Sequence, residues 1–219
     1  MIKGVIMVEN IKVFTHSSIR VQSGNKAIYI DPFEMKEAPH DADLILITHD
    51  HHDHFSPNDI SKVSKAETVL VVPEKMAKKA EDAAKFVSRI ETIGQGDAKE
   101  VEGLKIETVP AYNTLKPFHM KSAGWVGYIF EASGKRIYIA GDTDMTKEAM
   151  AVKCDIALVP IGGYYTMDPK DAAALINTIK PEIAIPTHYG SIVGSPEDGE
   201  VFAKRVEPVI KVEQIIGLK

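Results

Sequence analysis

Short apolar runs separated by turn residues fill the first two thirds of the chain. In several runs Val, Ile and Leu alternate with polar residues, which is the period of half-buried strands. The pattern predicts eight strands here: Ile11–Phe14, Ile19–Gln22, Ala27–Ile30, Leu44–Ile47, Thr68–Val72, Leu104–Val109, Trp125–Phe130 and Arg136–Ala140. Two later runs, Ile156–Val159 and Ile183–Ile185, are nearly all apolar, as expected of strands covered on both faces.

Three helix starts share one signal, in which a capping residue is followed by proline and, two positions after the proline, by an acid. The segments are Ser56–Asp59, Asp168–Asp171 and Ser195–Asp198, which predict helices beginning near residues 57, 169 and 196. A fourth helix is predicted over Glu74–Lys85. Strands followed by mixed strands and helices predict an α/β fold whose sheets are flanked by helices.

Composition narrows the class of protein. With 219 residues, of which 44% are apolar, the chain can build a sizeable core, and one domain over residues 1–219 is predicted. Its 31 acidic and 26 basic residues are well mixed and give a net charge of −5, so no nucleic-acid partner is expected.

Two further features bear on compartment and redox chemistry. The only cysteine, Cys154, lies in an apolar segment, so it is interpreted as a small buried hydrophobe and no disulfide forms within one chain. No segment approaches the ~20 apolar residues that a membrane span needs. The first residues lack the apolar core and cleavage site of an export signal, so a cytoplasmic protein is expected.

The densest cluster of potential metal ligands lies in residues 48–55, which read THDHHDHF and follow the predicted strand Leu44–Ile47. Imidazole nitrogens and carboxylate oxygens bind borderline divalent ions, and a tight loop can aim alternate side chains at two of them. The alternative is a solvated histidine-rich loop, which predicts no further ligands at strand ends. Three more candidates do occur at such positions, namely His119, Asp142 and His188.

Three motifs follow one another between residues 16 and 190: His-x-His-x-Asp-His at 49–54, Gly-Asp-Thr at 141–143 and Pro-Thr-His-Tyr-Gly at 186–190. In this ordered set the chain resembles the metallo-β-lactamase-fold hydrolases. The phrases at 14–17, 141–143 and 160–167 are similar to its small single-domain branch, which includes ascorbate-6-phosphate lactonase and the phospholipase D acting on N-acylphosphatidylethanolamine.

The resemblance implies an αββα sandwich of two mixed β-sheets and a site for two divalent metal ions. Zinc is favoured, with manganese or iron as alternatives. The implied ligands are His49, His51 and His119 for one ion, Asp53, His54 and His188 for the other, and Asp142 as the bridge. Asp31 is implied to support a ligand histidine by accepting its second ring proton. His52 occupies the variable position of the motif and is predicted to face outward.

The implied reaction is hydrolysis of a small ester, lactone or phosphodiester by a hydroxide held between the two ions. Asp53 and Asp142 are the candidate catalytic carboxylates, with Asp53 able to orient the nucleophile or carry a proton to the leaving group. His16 is a third candidate, with a substrate-side role or a structural hydrogen bond as its two interpretations.

The alternative functions are a nuclease, a redox di-iron module and a non-catalytic metal-binding protein. Three further predictions concern residues near the motifs. Trp125 is predicted to pack within a strand. Tyr164 and Tyr165 either line the pocket or cover the sheet edge. Residues 112–124 have no clear period and are hypothesised to form a lid.

Overall fold

The structure is a computed structural model that describes residues 8–114 and 116–217. Within these ranges, thirteen strands form two mixed sheets. The six strands of the first sheet, in spatial and chain order, are β1 (Ile11–Thr15), β2 (Ser18–Ser23), β3 (Lys26–Ile30), β4 (Ala42–Leu46), β5 (Ser64–Pro73) and β6 (Arg89–Ile93). The seven strands of the second are β7 (Ala98–Val101), β8 (Leu104–Pro110), β9 (Val126–Ala132), β10 (Lys135–Ile139), β11 (Ile156–Pro160), β12 (Ile183–Thr187) and β13 (Lys211–Val212).

Each sheet is antiparallel on one side and parallel on the other. Strands β3 to β6 run parallel to one another, as do β10 to β13. The α-helices are α1 (Pro57–Val63), α2 (Ala77–Ala80), α3 (Lys147–Met150), α4 (Pro169–Ile179) and α5 (Asp198–Ala203). Short 3-10 helices cover Val8–Asn10, Glu74–Met76, Glu81–Phe86 and Lys121–Ala123. No helix in the described ranges is long and apolar enough to cross a membrane.

Strand β4 shows why its sequence is apolar at nearly every position. Leu44 and Leu46 point into the main core, which contains residues of both sheets, while Ile45 belongs to a second core with Ile60 and Val63 of α1. Both faces of β4 are therefore covered. Because α4 packs its buried face into the main core, the layers are helix, sheet, sheet and helix, which confirms the predicted αββα sandwich.

Two of the three predicted helix starts are confirmed. Ser56 accepts a hydrogen bond from the Asp59 amide at the start of α1, and Asp168 accepts from the amides of Lys170 and Asp171 at the start of α4. The third is displaced, because α5 begins at Asp198 rather than near residue 196. The Ser195 hydroxyl bonds the Glu197 carboxylate instead of capping the helix.

The segment predicted as one helix over Glu74–Lys85 is helical but divides into the 3-10 helix Glu74–Met76, α2 and the 3-10 helix Glu81–Phe86. The strands β6, β7 and β13 and the short helix α3 were missed. Strands β6 and β7 escape detection because charged residues interrupt their apolar pattern, and only Ile93 and Val101 in them are buried.

Candidate metal centre

The candidate residues meet where parallel strands end. Asp31 directly follows β3, residues 48–55 follow β4, Asp142 follows β10, and His188 directly follows β12. In mixed α/β sheets the carboxyl ends of neighbouring parallel strands are the usual place for ligands. The turn between β1 and β2 adds His16, and the β8–β9 connection adds His119.

Asp142 lies at the centre of the group, and its two oxygens face different histidines. Its Oδ1 is 3.2 Å from His188 Nε2 and 3.4 Å from His54 Nε2. Its Oδ2 is 3.8 Å from His49 Nε2 and 3.9 Å from His119 Nδ1. One carboxylate thus faces two pairs of imidazoles, which adjoin where the His49 and His54 ring centroids lie 3.9 Å apart. Ligand atoms of His49, His54 and Asp142 also lie close enough together to hold one ion.

Asp53 faces the pair on the Oδ1 side. Its Oδ2 is 3.5 Å from His54 Nε2, 3.8 Å from His188 Nε2 and 3.0 Å from His16 Nε2. One ligand atom from each of these four residues can be chosen so that all lie within 4.8 Å of one another, close enough to surround one ion. The Asp53 side chain is 12% exposed and that of Asp142 only 3%, so Asp53 is the more accessible carboxylate.

The histidines on the other side pack around Trp125, which lies just before β9. Its ring centroid is 4.5 Å from that of His49, 4.7 Å from that of His51 and 5.0 Å from that of His119. The indole therefore forms one wall of this half of the site. The sequence predicts strand packing for Trp125 and carries no signal of these ring contacts.

Several buried polar atoms of the site have no hydrogen-bond partner among the described residues. They are His49 Nε2, His54 Nε2, His119 Nδ1, Asp142 Oδ1, and Nδ1 and Nε2 of His188. Unsatisfied buried polar groups are costly and rare in folded proteins. Nitrogen and oxygen donors that converge in this way fit divalent cations, so the residues present suit the metals that the sequence implies.

Two further side chains set the orientation of the imidazoles. Asp31 Oδ2 is 2.7 Å from His54 Nδ1, so the predicted hydrogen bond of Asp31 is present and its histidine is His54. The Thr48 hydroxyl donates to Asp31 at 2.6 Å and lies 3.0 Å from His49 Nδ1. With protons on both Nδ1 atoms, the Nε2 lone pairs of His54 and His49 face Asp142. Nothing in the sequence pattern predicts this role of Thr48.

Burial and charge act in opposite directions on the titratable groups. Burial lowers the pKa of His49 well below its usual value and the pKa of His119 to about 4, which leaves both rings neutral and able to bind a metal. Burial also disfavours charge on His54, but Asp142, Asp31 and Asp53 raise its pKa to about 9. Against burial, His188 and His54 hold the pKa of Asp142 well below its usual value. The carboxylates thus create a negative field that favours a bound cation.

The backbone at the site is strained. Nine non-glycine residues of the described chain have positive φ, and four of them belong to this group: His16 (52°), Asp31 (46°), His119 (57°) and His188 (58°). Such conformations cost of order 1 kcal/mol each and persist where the surrounding structure enforces them. One such constraint is direct, because the His188 amide donates to the His16 carbonyl at 2.9 Å.

The structure thus brings His49, Asp53, His54, His119, Asp142 and His188 together, whereas His51 is exposed and joins them only through ring contacts with His49, His119 and Trp125. His52 lies apart, with its side chain 83% exposed. His16 is fully buried and bonded to Asp53, which supports the hydrogen-bond interpretation. Tyr165 stacks on His119 with ring centroids 6.0 Å apart, which supports its pocket-lining interpretation. The hypothesised lid over 112–124 contains Leu115, which lies outside the described residues, and its closure stays a prediction.

Comparison with known proteins identifies the class that this fold and site define. Residues 10–188 match the model of the beta-lactamase superfamily domain, so the chain belongs to that superfamily and the predicted fold family is confirmed.

Proteins named UPF0173 metal-dependent hydrolase are similar along nearly the whole chain. The one from Methanopyrus kandleri is 32% identical over 92% of this chain and 93% of its own length. The one from Pyrococcus abyssi is 34% identical over 92% and 94%. A crystal structure of a candidate metal-dependent hydrolase from Parabacteroides distasonis is 31% identical with a TM-score of 0.77, covering 94% of this chain and 93% of that one. The protein is thus a metal-dependent hydrolase.

Proposed function

We propose that the protein hydrolyses a small ester, lactone or phosphodiester at a site for two divalent cations, with zinc favoured and manganese or iron as alternatives. The observation that carries this proposal is the division of the site by Asp142. Its Oδ1 faces His188 and His54, whereas its Oδ2 faces His49 and His119. A carboxylate with a separate set of imidazoles at each oxygen is suited to join two ions.

The ligand sets are those that the family resemblance implies. His49, His51 and His119 would hold one ion, and Asp53, His54 and His188 the other, with Asp142 available to both. Ring contacts support His51, whose centroid lies 4.8 Å from that of His49 and 5.1 Å from that of His119. When bound, such a pair of cations lowers the pKa of a shared water and polarises the substrate oxygen.

Two residues of the site have roles in the reaction. Asp53 orients the attacking water and passes its proton to the leaving oxygen, for which its greater exposure is suited. His16 holds Asp53 in place through its Nε2 and is a positioning residue. In the balanced reaction the oxygen of water bonds the carbonyl carbon or phosphorus, the ester bond breaks, and a proton of that water reaches the leaving group.

The test is a hydrolysis assay on protein without a histidine tag, stripped of metal and reloaded with zinc, manganese or iron. The panel contains 4-nitrophenyl esters, lactones and phosphodiesters. His54→Ala should lower kcat/KM for the preferred substrate by at least about a hundredfold, because it removes a proposed metal ligand at the centre of the site. The matched control is His52→Ala, which lies two positions away in the same loop and is exposed. Equal activity of both variants, or no metal-dependent turnover of any panel member, would contradict the proposal.

A further inference from the structure

Several exposed apolar side chains border the candidate metal centre, and we call this region the mouth of the site. Six large hydrophobic side chains are strongly exposed in the described parts of the chain. Met120 (60%) directly follows the candidate ligand His119, and Ile192 (47%) lies four residues after His188. Tyr164 (69%) and Tyr165 (41%) lie on the loop after β11, where Tyr165 stacks on His119 and Tyr164 packs against Tyr165. The other two, Val201 and Val209, lie in and after α5. Exposed apolar side chains that cluster in this way mark binding sites.

Three of the side chains at the mouth form a continuous surface that we call the aromatic rim: Phe118, Tyr164 and Tyr165. The Phe118 ring centroid lies 5.8 Å from that of Tyr164 and 5.1 Å from that of Tyr165. The rim reaches the metal site itself, because Tyr165 stacks on His119 with an interplanar angle of 14°. One substrate molecule could therefore place an apolar group on the rim and its reacting group at the metal site.

The rim is held in place by hydrogen bonds between the two segments that carry it. Asn113 donates from its backbone amide to the His119 carbonyl at 2.7 Å and from its side chain to the Tyr165 carbonyl at 2.8 Å. The Lys116 ammonium donates to the Thr166 carbonyl at 2.6 Å. A preformed apolar surface binds an apolar group with little loss of conformational freedom.

The nearby positive charges are already neutralised. Lys116 Nζ lies 2.7 Å from Asp144 Oδ1, and Lys121 Nζ lies 2.6 Å from Glu148 Oε1. Both lysines thus have carboxylate partners, which disfavours recognition of a phosphate or a second anionic group by this edge of the mouth.

We propose that the substrate is an uncharged ester or lactone whose acyl or aryl group is apolar, and that the aromatic rim binds this group while the scissile carbonyl lies at the metals. This inference rests on the proposed hydrolytic function and narrows its substrate class. The rim residues act in binding and specificity, while bond cleavage remains the work of the metal site.

The first test compares 4-nitrophenyl acetate, butyrate and octanoate as substrates of the metal-loaded enzyme. KM should fall along the series, and kcat/KM for octanoate should exceed that for acetate by about tenfold or more, since each added methylene can be buried on the rim. Tyr165→Ala and Phe118→Ala should reduce this ratio to about threefold or less.

Tyr164→Ser, at a 69% exposed position, is a further rim variant with little risk to folding. The control is Val209→Ala, an exposed apolar position outside the rim, which should keep the wild-type ratio.

A second measurement reports binding without turnover. Trp125 is the only tryptophan and lies against three candidate ligands, so its fluorescence can follow the binding of acetohydroxamate and octanohydroxamate, which share a metal-chelating head. Octanohydroxamate should bind at least about tenfold more tightly to the wild type, and this preference should largely disappear in Tyr165→Ala.

The outcomes separate the two proposals. Turnover of acetate with no gain for octanoate, or a preference for bis(4-nitrophenyl) phosphate over every ester, would overturn the apolar, uncharged substrate and leave the hydrolytic site standing. Tighter octanohydroxamate binding without hydrolysis of any ester, lactone or phosphodiester would retain the rim as a binding surface and overturn the proposed reaction. Absence of metal-dependent turnover for every substrate, together with failure to bind either hydroxamate, would overturn both.

Discussion

Asp31 and His54 form a buried pair in which the carboxylate Oδ2 lies 2.7 Å from the imidazole Nδ1. Both side chains are inaccessible to solvent, with exposed fractions of 1% or less. The pair fixes one proton on Nδ1, so Nε2 is the atom that would bind a cation beside Asp142, in place of the second proton that the raised pKa of His54 allows.

Asp31→Asn should weaken metal binding. The new amide would present a donor or a weaker acceptor to His54 Nδ1, so the required tautomer would lose its support. We expect the affinity for zinc to fall by about 10- to 100-fold in a chelator-competition titration. Asp41→Asn, which removes a partly exposed carboxylate paired with Arg20, is the control and should leave zinc affinity unchanged. Equal affinity in both variants would show that Asp31 does not support a ligand.

Gly162→Ala should disturb the metal site without replacing a ligand. A Cβ on Gly162 would lie 2.3 Å from the His188 carbonyl oxygen and 3.2 Å from His188 Nδ1, so the backbone and ring of His188 would have to move. We expect at least about tenfold weaker metal binding or lower kcat/KM.

The matched control for Gly162 is its neighbour. At Gly163 the nearest atom to a Cβ is 3.8 Å away, although its φ of +87° makes alanine strained. Gly163→Ala should therefore lower stability by about 1 kcal/mol and retain metal affinity. A Gly162→Ala variant with wild-type metal binding and activity would refute the close packing against His188.

Tyr128→Phe should destabilise the fold. The buried Tyr128 hydroxyl donates to the Ile47 carbonyl at 2.7 Å, one residue before Thr48, and the variant leaves that carbonyl without this donor. The free energy of unfolding should fall by about 1–3 kcal/mol in urea titrations. Tyr164→Phe, at an exposed position, should change it by less than about 0.5 kcal/mol. Similar stability of the two variants would mean that the Tyr128 hydrogen bond contributes little.

Cys154 should react slowly with thiol reagents. Burial, together with the neighbouring charge of Asp155, raises its pKa from 9.0 to about 12, so at pH 8 the thiolate is about a thousandfold scarcer than for a free thiol. At the same pH, iodoacetamide should alkylate Cys154 of the folded protein about a hundredfold more slowly, or slower still, than Cys154 of the urea-unfolded protein. Cys154, expected to be buried, is half-buried against the main core, and a rate equal to that of the unfolded chain would contradict its raised pKa.

The sequence predicts most strands well where both faces are apolar or where polar and apolar residues alternate strictly. Strand β4 and the pair β11 and β12 are examples, because their packing is encoded in nearly every residue. The edge strand β7 is not predicted, since its sequence AKEV buries only Val101 and obtains its order from pairing with β8. The position of α5 also depends on contacts among side chains that the motif alone does not specify.

Most candidate ligands were predicted because they stand in motifs that follow strands, whereas His119 was predicted as the one histidine between residues 54 and 188 and lies within the β8–β9 connection. The roles of Thr48 and Trp125 were not predicted, because a threonine or tryptophan next to a strand carries no such signal. Thr48 obtains its role from a hydrogen bond to Asp31, which is 17 positions earlier, and Trp125 from ring contacts with loops of both sheets. Their neighbours in space are fixed only once the two sheets pack.

The most direct test of the account is a zinc titration of untagged, metal-free wild-type protein and of Asp142→Asn, with bound metal quantified after removal of excess ion. If Asp142 joins two cations, the wild type should bind two ions per chain, and the variant should lose tight binding of at least one. Wild-type protein that binds one ion or none, or an Asp142→Asn variant that keeps two with unchanged affinity, would contradict the two-metal site.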